Sequence, residues 1–553
     1  MPSVETASAI LESLDALGVT HVLYCPGSRS APFAYALEAG SFGGDARAVL
    51  DERGAGFAAV GLARTGGLPA VVVTSGTAVA ELAPAVLEAS HARLPLLLLT
   101  ADRPGELRGV GASQATDQAG FFGTHVRASI DLEPQEVAPS LVGHLARAVA
   151  AACGAPSGAP GPVQVNVAFR DPLTPVRPAC DCGDEAGASF VPRPTRVLAA
   201  PAVPVPWEDV VGPAAAGLIV AGEGASPRAR EWSAASGFPL LAEPASGAWS
   251  AGGVTPFEQT LVASSLGSEV DTVVVTGRPT LSRPIQALLA RPDVRVVVVD
   301  PHAPWVDISG NAAVVVADLE PAREPIRAAQ AEWASRVRDA AREAGERIDS
   351  LLASGSGRTM LDLARSVAAS TSGPLVLGAS NPVRAFDLAV PTLEGRAVHS
   401  NRGQAGIDGT IATAVGIALG SGYAGEASAP AGGRVTAVIG DLTACHDASS
   451  LALASSVRAN LDIVVADDQG GGIFATLEHG RATSPEAYDR WFGLAQTVDY
   501  EALAAAYGVA FARAETPAQL AQLLETGEAG PRLVHAPVER AAHLYPAVRD
   551  VLS

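Results

Sequence analysis

"VTAVIGDLTACHD", residues 435–447, is the stretch that decides the fold. Its first five residues, Val435 to Ile439, are apolar or β-branched and predict a short strand buried on both faces, since neither face is polar enough to meet water. Gly440 ends the run, and Asp441 opens a turn into a short helix. A carboxylate at the mouth of a buried strand is costly unless hydrogen bonds or a cation satisfy it. Asp441 therefore poses a chemical question as well as a structural one.

Downstream, 24 residues separate Leu442 from Asp467, and they read as a helix followed by a second buried strand, "LDIVVA", residues 461–466. Adjacent parallel strands bring Asp441 and Asp468 to one sheet edge. Two carboxylates with a glycine carbonyl nearby make a hard oxygen site suited to Mg²⁺. Glycines there let a backbone approach a phosphate closely. Taken alone, two acidic turns are more often helix caps and solvated loops.

The same grammar of Val/Leu-rich strand, Gly-rich turn and amphipathic helix recurs along the chain. It appears in "HVLYC" (21–25), "AVVVTSGT" (70–77) with a helix near 78–92, "LPLLLLTADRP" (94–104), "AGLIVAGEGAS" (216–226), "EVDTVVVTGRPTLSRPIQALLA" (269–290) and "VRVVVVDPHAP" (294–304). This predicts an α/β protein built from three parallel-sheet domains, at 1–185, 186–350 and 351–553. A Pro-rich stretch near 172–207 reads as a linker, and a long Ala/Arg/Glu helix is expected over about 322–352. Ligands of such sheets sit beyond the carboxyl ends of the strands, where these turns lie.

Composition narrows the function. A net charge of −20 on 553 residues argues against nonspecific binding to nucleic acid or anionic membranes. No apolar run reaches membrane-spanning length, and the first nineteen residues read as an acidic amphipathic helix rather than a basic leader. The five cysteines (Cys25, Cys153, Cys180, Cys182, Cys445) are scattered and odd in number. Together these point to a reduced, cytoplasmic protein. All 38 basic residues are arginine. Schiff-base aldolase, pyridoxal-phosphate and P-loop chemistry all need a lysine amine and are excluded. A guanidinium that is always charged suits fixed recognition of carboxylates.

The Gly-Asp pair, the interval after it and the polar pair before Gly470 resemble the metal–diphosphate motif of thiamine-diphosphate enzymes. Two positions depart from that pattern: Leu442 replaces a Gly, and Asp467-Asp468 replaces an Asn pair. Such enzymes also need a glutamate, and "AVLDERGAGFAAVGLAR" (48–64) offers Glu52 where a strand gives way to a helix. By itself Glu52 reads as a first-turn acid favoured by the helix dipole.

The resemblance narrows with "CPGSRSAP" (25–32), "TSGTAVAELAPAVLEA" (74–89), "LTADRP" (99–104), "GASQ" (111–114), "GASNPVRAFD" (378–387) and "SNRGQAGIDGT" (400–410). With "GDLTACHD" these resemble the 2-succinyl-5-enolpyruvyl-6-hydroxy-3-cyclohexene-1-carboxylate synthase family. The resemblance implies a transferase of menaquinone biosynthesis. It decarboxylates 2-oxoglutarate on thiamine diphosphate and adds the succinyl-semialdehyde carbanion to isochorismate. It implies pyrimidine-binding, central and diphosphate-binding domains, and a homodimer or homotetramer with active sites between subunits. Carried over residue by residue, Glu52 and Gln114 are catalytic. Ser28, Arg29, Arg103, Gln114 and Arg283 serve isochorismate. Ser380, Arg384 and Arg402 serve the 2-oxoglutarate-derived group, and Phe474 lines the pocket. Ile407, Gly440, Asp441, Leu442, Asp468, Gly470, Gly471 and Ile473 hold the cofactor with Glu52. Asp441, Asp468 and Gly470 hold Mg²⁺ or Mn²⁺. His446 reads as a core or supporting histidine. "GEGAS" lacks a dinucleotide fingerprint, so no FAD is expected. The rival readings are another thiamine-dependent 2-oxoacid decarboxylase or acetohydroxyacid synthase-like ligase, and a nucleotide-binding regulatory protein without chemistry.

Overall fold

A computed structural model of the chain describes residues 3–134, 139–175, 193, 195–424, 433–526 and 529–553. Cys180, Cys182 and the central part of the expected linker lie outside the described residues. Among the described residues there are three sheets, and every strand pair within them is parallel.

The chain divides into two compact units, Met1–Ala200 with Ala412–Gly422, and Pro201–Ile411 with Tyr423–Ser553. The first unit holds β1 (His21–Tyr24), β2 (Asp45–Ala48), β3 (Pro69–Val73), β4 (Leu96–Asp102), β5 (Ala128–Leu132) and β6 (Pro162–Ala168), in the order β2-β1-β3-β4-β6-β5. Strands β3, β4 and β6 are buried along their whole length, and β3 and the first four residues of β4 accordingly read as unbroken apolar runs. The helix expected near 78–92 is two, Thr77–Ala80 and Ala83–Ala92. Pro84 sits in the first turn of the second, where a missing N–H costs nothing.

The second unit carries two sheets. The first contains β7 (Gly217–Ala221), β8 (Leu240–Ala242), β9 (Thr272–Thr276), β10 (Arg295–Val299) and β11 (Ala312–Val316), ordered β11-β10-β9-β7-β8. The other contains β12 (Leu375–Leu377), β13 (Val398–His399), β14 (Val435–Gly440), β15 (Leu461–Asp467), β16 (Ala510–Arg513) and β17 (Arg532–Pro537), ordered β13-β12-β14-β15-β17-β16. The long helix runs Ala328–Ala353, six residues later in starting than the sequence suggested. Pro325 pushes its predecessor out of the helical region and delays the start. No described helix is long and apolar enough to cross a membrane.

Within the first unit, small residues allow two helices to touch backbone to backbone. A Cβ on Gly61 would lie 2.2 Å from the Thr413 carbonyl oxygen, and one on Gly416 would lie 2.0 Å from that of Ala58. Gly61 belongs to the helix Glu52–Arg64, so this contact fixes the element that starts at Glu52. Gly416→Ala should therefore destabilise the fold by about 1–3 kcal/mol through overpacking against backbone that cannot move aside. Chemical denaturation of the variant checks this, and an unchanged midpoint would contradict the contact.

Candidate active site

In the first unit the candidate side chains gather at the carboxyl ends of β1, β3 and β4. Arg103 follows β4 directly and donates to the Ser75 hydroxyl and the Gln114 carbonyl. The Gln114 side chain donates back to the Ser75 carbonyl at 3.0 Å. Gln114 adopts the left-handed conformation (φ 54°), which turns it over Gly76. Arg29 donates to the Phe169 carbonyl at 2.9 Å, and its nearest carboxylate, Asp171, is 4.0 Å away. Burial, and then the neighbouring charge of Arg29, lower the Arg103 pKa. Two guanidiniums are thus held side by side by neutral oxygens. Ser28 is exposed beside them in sequence.

Glu52 is half-buried in the first turn of its helix, and Asp51 caps that helix by accepting the Gly54 N–H at 3.1 Å. Cys25 lies near it: burial, then Glu52, push this thiol upward, so it is inert.

A buried polar ladder missing from the sequence reading supports this turn. Asn166 on β6 donates to Asp102 at 2.9 Å and to Asp131 at 2.7 Å. Gln118 donates to Asn166 and to the Ala101 carbonyl, and accepts the Gly76 N–H at 3.3 Å. Polar residues inside an otherwise apolar strand, "PVQVNVA", are the signal that could have revealed it.

In the second unit Arg384 and Arg402 form another guanidinium pair. Arg384 donates to the carbonyls of Ser380 (2.8 Å) and Ala379 (3.2 Å). Arg402, only 5% exposed, donates to the Ala379 carbonyl (3.3 Å) and the Thr280 hydroxyl (3.1 Å). Neither forms an ion pair among the described residues. Burial, then the charge of Arg402, lower Arg384 to about 10. The Arg402 Nε and the Asn381 Oδ1 are buried without a partner. Unsatisfied polar atoms beside uncompensated charge mark a ligand site. Arg278, by contrast, pairs with Glu223 at 2.5 Å and braces the Arg402 carbonyl. Arg283 is exposed and 3.2 Å from Glu478.

The end of β14 answers the question of Asp441. Gly440 pairs with Ala466, so Asp441 and the pair Asp467-Asp468 leave neighbouring strands at one edge. Asp441, 3% exposed, accepts the N–H of Leu442 at 2.8 Å and of Gly470 at 2.6 Å, and shares a hydrogen bond with Asp467. Burial is the main cause that pushes its pKa up to about 6. Asp468 rises to about 7 through burial and then the charge of Asp441. Asp467 differs: His535 on β17 holds it at 2.9 Å and the Gln469 N–H at 3.0 Å, and its pKa is lowered. The adjacent aspartates therefore divide, one as an ion pair within the sheet and one as a candidate ligand.

This edge fits a divalent cation. Asp441 and Asp468 sit close enough for each other's charge to be felt, negative charge that a cation would neutralise, and the donors are all hard oxygens. No group of three or more His, Cys, Asp or Glu side chains that could hold a metal occurs among the described residues. Two carboxylates would need the backbone carbonyl of Gly470 to complete the set. Leu442 stands within the helix Asp441–His446 at negative φ, so the position requires no glycine. Gly470 does: its φ is 128°, and a Cβ would meet the Gly493 carbonyl at 2.1 Å. Gly471 accepts the Tyr488 hydroxyl at 2.8 Å, and Phe474 packs on Phe492 with centroids 5.6 Å apart. Ile473 is half-buried in the same turn, and Ile407 is half-buried in the loop after β13. Arg540 donates to the Asp468 carbonyl at 3.3 Å, a neighbour that the sequence reading did not single out. His446 is not a core residue; its side chain is 41% exposed and faces Asp408 at 3.7 Å.

Residues 4–121 match the N-terminal TPP binding domain of thiamine pyrophosphate enzymes, and residues 385–536 match the C-terminal TPP binding domain. Curated relatives are similar along nearly the whole chain. A 2-succinyl-5-enolpyruvyl-6-hydroxy-3-cyclohexene-1-carboxylate synthase of Kineococcus radiotolerans is 43% identical over 555 residues, covering 96% of this chain and 95% of that protein. Proteins of the same name from Renibacterium salmoninarum (40% over 566 residues; 100% and 97% covered) and Mycobacterium leprae (37% over 568 residues; 98% of each) match as fully.

The two aspartates should respond differently to substitution. Asp467→Asn removes a supporting partner and should weaken Mg²⁺-dependent binding of thiamine diphosphate by roughly 10–100-fold. Asp468→Ala, which removes a candidate ligand, should weaken it further. Titration of the cofactor with and without Mg²⁺ checks this, and equal effects would contradict the division.

Proposed function

The chain belongs to the 2-succinyl-5-enolpyruvyl-6-hydroxy-3-cyclohexene-1-carboxylate synthase family, and on that premise we propose how its residues share the work. It is a thiamine-diphosphate-dependent transferase that joins the decarboxylated remnant of 2-oxoglutarate to isochorismate, releasing CO₂, in menaquinone biosynthesis. The observation that carries the two-substrate reading is the pair of guanidinium clusters, Arg29 with Arg103 and Arg384 with Arg402, each held by neutral oxygens. An acidic chain that keeps four arginines largely clear of its own carboxylates keeps them for anionic substrates, and both substrates are dianions.

Arg29, Arg103, Ser28, Gln114 and Arg283 bind isochorismate in this reading. Arg384, Arg402 and Ser380 bind the carboxylate of the 2-oxoglutarate-derived group, and Phe474 closes the pocket wall. Ile407, Ile473 and the backbone of Gly440, Leu442 and Gly471 hold the cofactor. Asp441, Asp468 and the Gly470 carbonyl would hold Mg²⁺ or Mn²⁺, which would supply positive charge for the cofactor's phosphates. When bound, thiamine diphosphate supplies the electron sink for loss of CO₂. Glu52 moves a proton to and from the aminopyrimidine ring, and Gln114 orients isochorismate. FAD is not expected, because "GEGAS" lacks a dinucleotide fingerprint.

We place the pyrimidine-binding domain at 1–185, the central domain at 186–350 and the diphosphate-binding domain at 351–553, in a cytoplasmic homodimer or homotetramer. Each active site takes Glu52 from one subunit and Asp441 from another. Leu50, two residues before Glu52, is 84% exposed, as expected of a side chain that a second subunit covers.

Incubation with isochorismate, 2-oxoglutarate, thiamine diphosphate and Mg²⁺ should give the succinylated product by mass, and pyruvate should not replace 2-oxoglutarate. Glu52→Gln should lower kcat by roughly 10²–10⁴-fold with little loss of cofactor affinity; near-normal turnover would remove Glu52 from the chemistry. Mixing Glu52→Ala with Asp441→Ala chains tests the shared site. After complete exchange about half of the dimers are mixed, each with one intact site of two, so activity should return to roughly a quarter of wild type. Continued inactivity, once mass shows exchange, refutes the shared site.

A further inference from the structure

Three buried carboxyl groups, Glu243, Glu258 and Asp387, form a cluster that reaches Arg384 and Arg402 through Glu243 and Asp387, and the reaction as assigned gives them no task. Glu258, 2% exposed, opens the helix Glu258–Ala263, and neither of its carboxyl oxygens has a hydrogen-bond partner. Glu243, also 2% exposed, follows β8 and accepts the Leu281 N–H at 2.6 Å. Asp387, 7% exposed, lies one turn beyond Arg384 on the helix Asn381–Ala389 and accepts from Gln259.

None of the three forms an ion pair with either arginine, yet all are within electrostatic reach of the pair or of one another. Arg402 acts on Glu243, Arg384 and Arg402 act on Asp387, and Asp387 acts on both glutamates. The other charged or titratable groups facing the cluster are few. Glu223 is paired with Arg278, Arg283 is paired with Glu478, and the Tyr545 hydroxyl is buried without a partner. Three ionised carboxylates would outnumber the two guanidiniums and repel an incoming carboxylate. A carboxylate with both oxygens buried and no donor is also too costly to keep. The wall must therefore hold protons while the pocket holds an anion.

We propose that Glu243, Glu258 and Asp387 are positioning residues for the carboxylate pocket, setting the net positive charge that Arg384 and Arg402 present and taking up a proton from solvent when a substrate carboxylate binds. The proton adds to a carboxylate oxygen of Asp387 or Glu243, and no other bond changes. The direction agrees with burial, which raises Glu243 to about 8, Asp387 to about 7, and Glu258 well above its usual range. As pH rises the wall ionises, the pocket loses positive charge and the substrate is held less tightly. The inference rests on the assignment of Arg384 and Arg402 to the 2-oxoglutarate carboxylate.

The test is the KM for 2-oxoglutarate in the holoenzyme at saturating isochorismate, from pH 6.5 to 8.5. In this range 2-oxoglutarate does not itself titrate. Wild-type KM should rise roughly 3–10-fold across the range, with kcat moving less. Asp387→Asn and Glu243→Gln are near-isosteric neutral substitutions; each should reduce the rise, and together they should keep KM at pH 8.5 near the wild-type value at pH 6.5. A purely structural role would instead lower kcat or thermal stability equally at every pH. A flat wild-type profile overturns the inference without any variant, as does an unchanged slope in whichever variants fold. Arg384→Ala separates the two levels. If it raises KM for 2-oxoglutarate while the slopes stay alike, only the inference fails. If it leaves KM unaltered, the carboxylate assignment fails and the inference with it.

Discussion

The parallel pairing of β14 with β15 is the constraint on which the rest of the chemistry depends. It sets Gly440 beside Ala466, so three carboxyls, Asp441, Asp467 and Asp468, emerge at one edge. Parallel strands cannot be joined by a tight turn, and the crossover here includes the helix Ser450–Ser456. That is why the interval between the acidic turns has the length it has. Once the strands pair, the like charges must be absorbed. Two backbone N–H groups take Asp441, and His535, two residues short of the end of the next strand, β17, takes Asp467. Asp468 is left with the least compensation, and the close glycines after it let the chain fold back against Phe492 and Gly493.

The arginines sort by what their guanidiniums touch. Arg434 and Arg532 both reach Asp462, itself 1% exposed, at 3.0 and 2.8 Å, and Arg64 pairs with Glu88 at 2.8 Å. These are structural: removing one partner would strand a buried charge. Arg103, Arg384 and Arg402 take carbonyl and hydroxyl oxygens instead. A neutral acceptor fixes the geometry of a guanidinium without cancelling its charge. Sequence alone does not separate the two groups; only the acceptor tells them apart.

This difference shows where the sequence was legible. The buried strands could be read because most of their residues are apolar, and Asp441 because it breaks such a run at its carboxyl end; Glu52 follows a short, half-exposed strand and was legible only through the motif around it. The separate duties of Asp467 and Asp468 could not. They depend on His535, 68 residues from Asp467 along the chain, which only sheet order brings into contact. The carboxyl wall was equally hidden. Glu243, Glu258 and Asp387 come from three elements of ordinary appearance, and local propensity carries no information about that encounter. The start of the long helix was misplaced for a local reason: Pro325 outweighed the helix-favouring residues around it.

The absence of lysine then has a physical consequence within the site. Burial beside Arg402 brings Arg384 down to about 10, which still leaves it charged at neutral pH. A lysine amine, ordinarily at about 10.4, would be carried by the same burial into the range where it is partly neutral. The pocket can therefore pack two cations together, neither in an ion pair among the described residues, and keep both charged because both are guanidiniums. Their charge is fixed, so it cannot be tuned by titrating the cations themselves. Any adjustment of the pocket to pH then falls to neighbouring acids, the part proposed for Glu243 and Asp387.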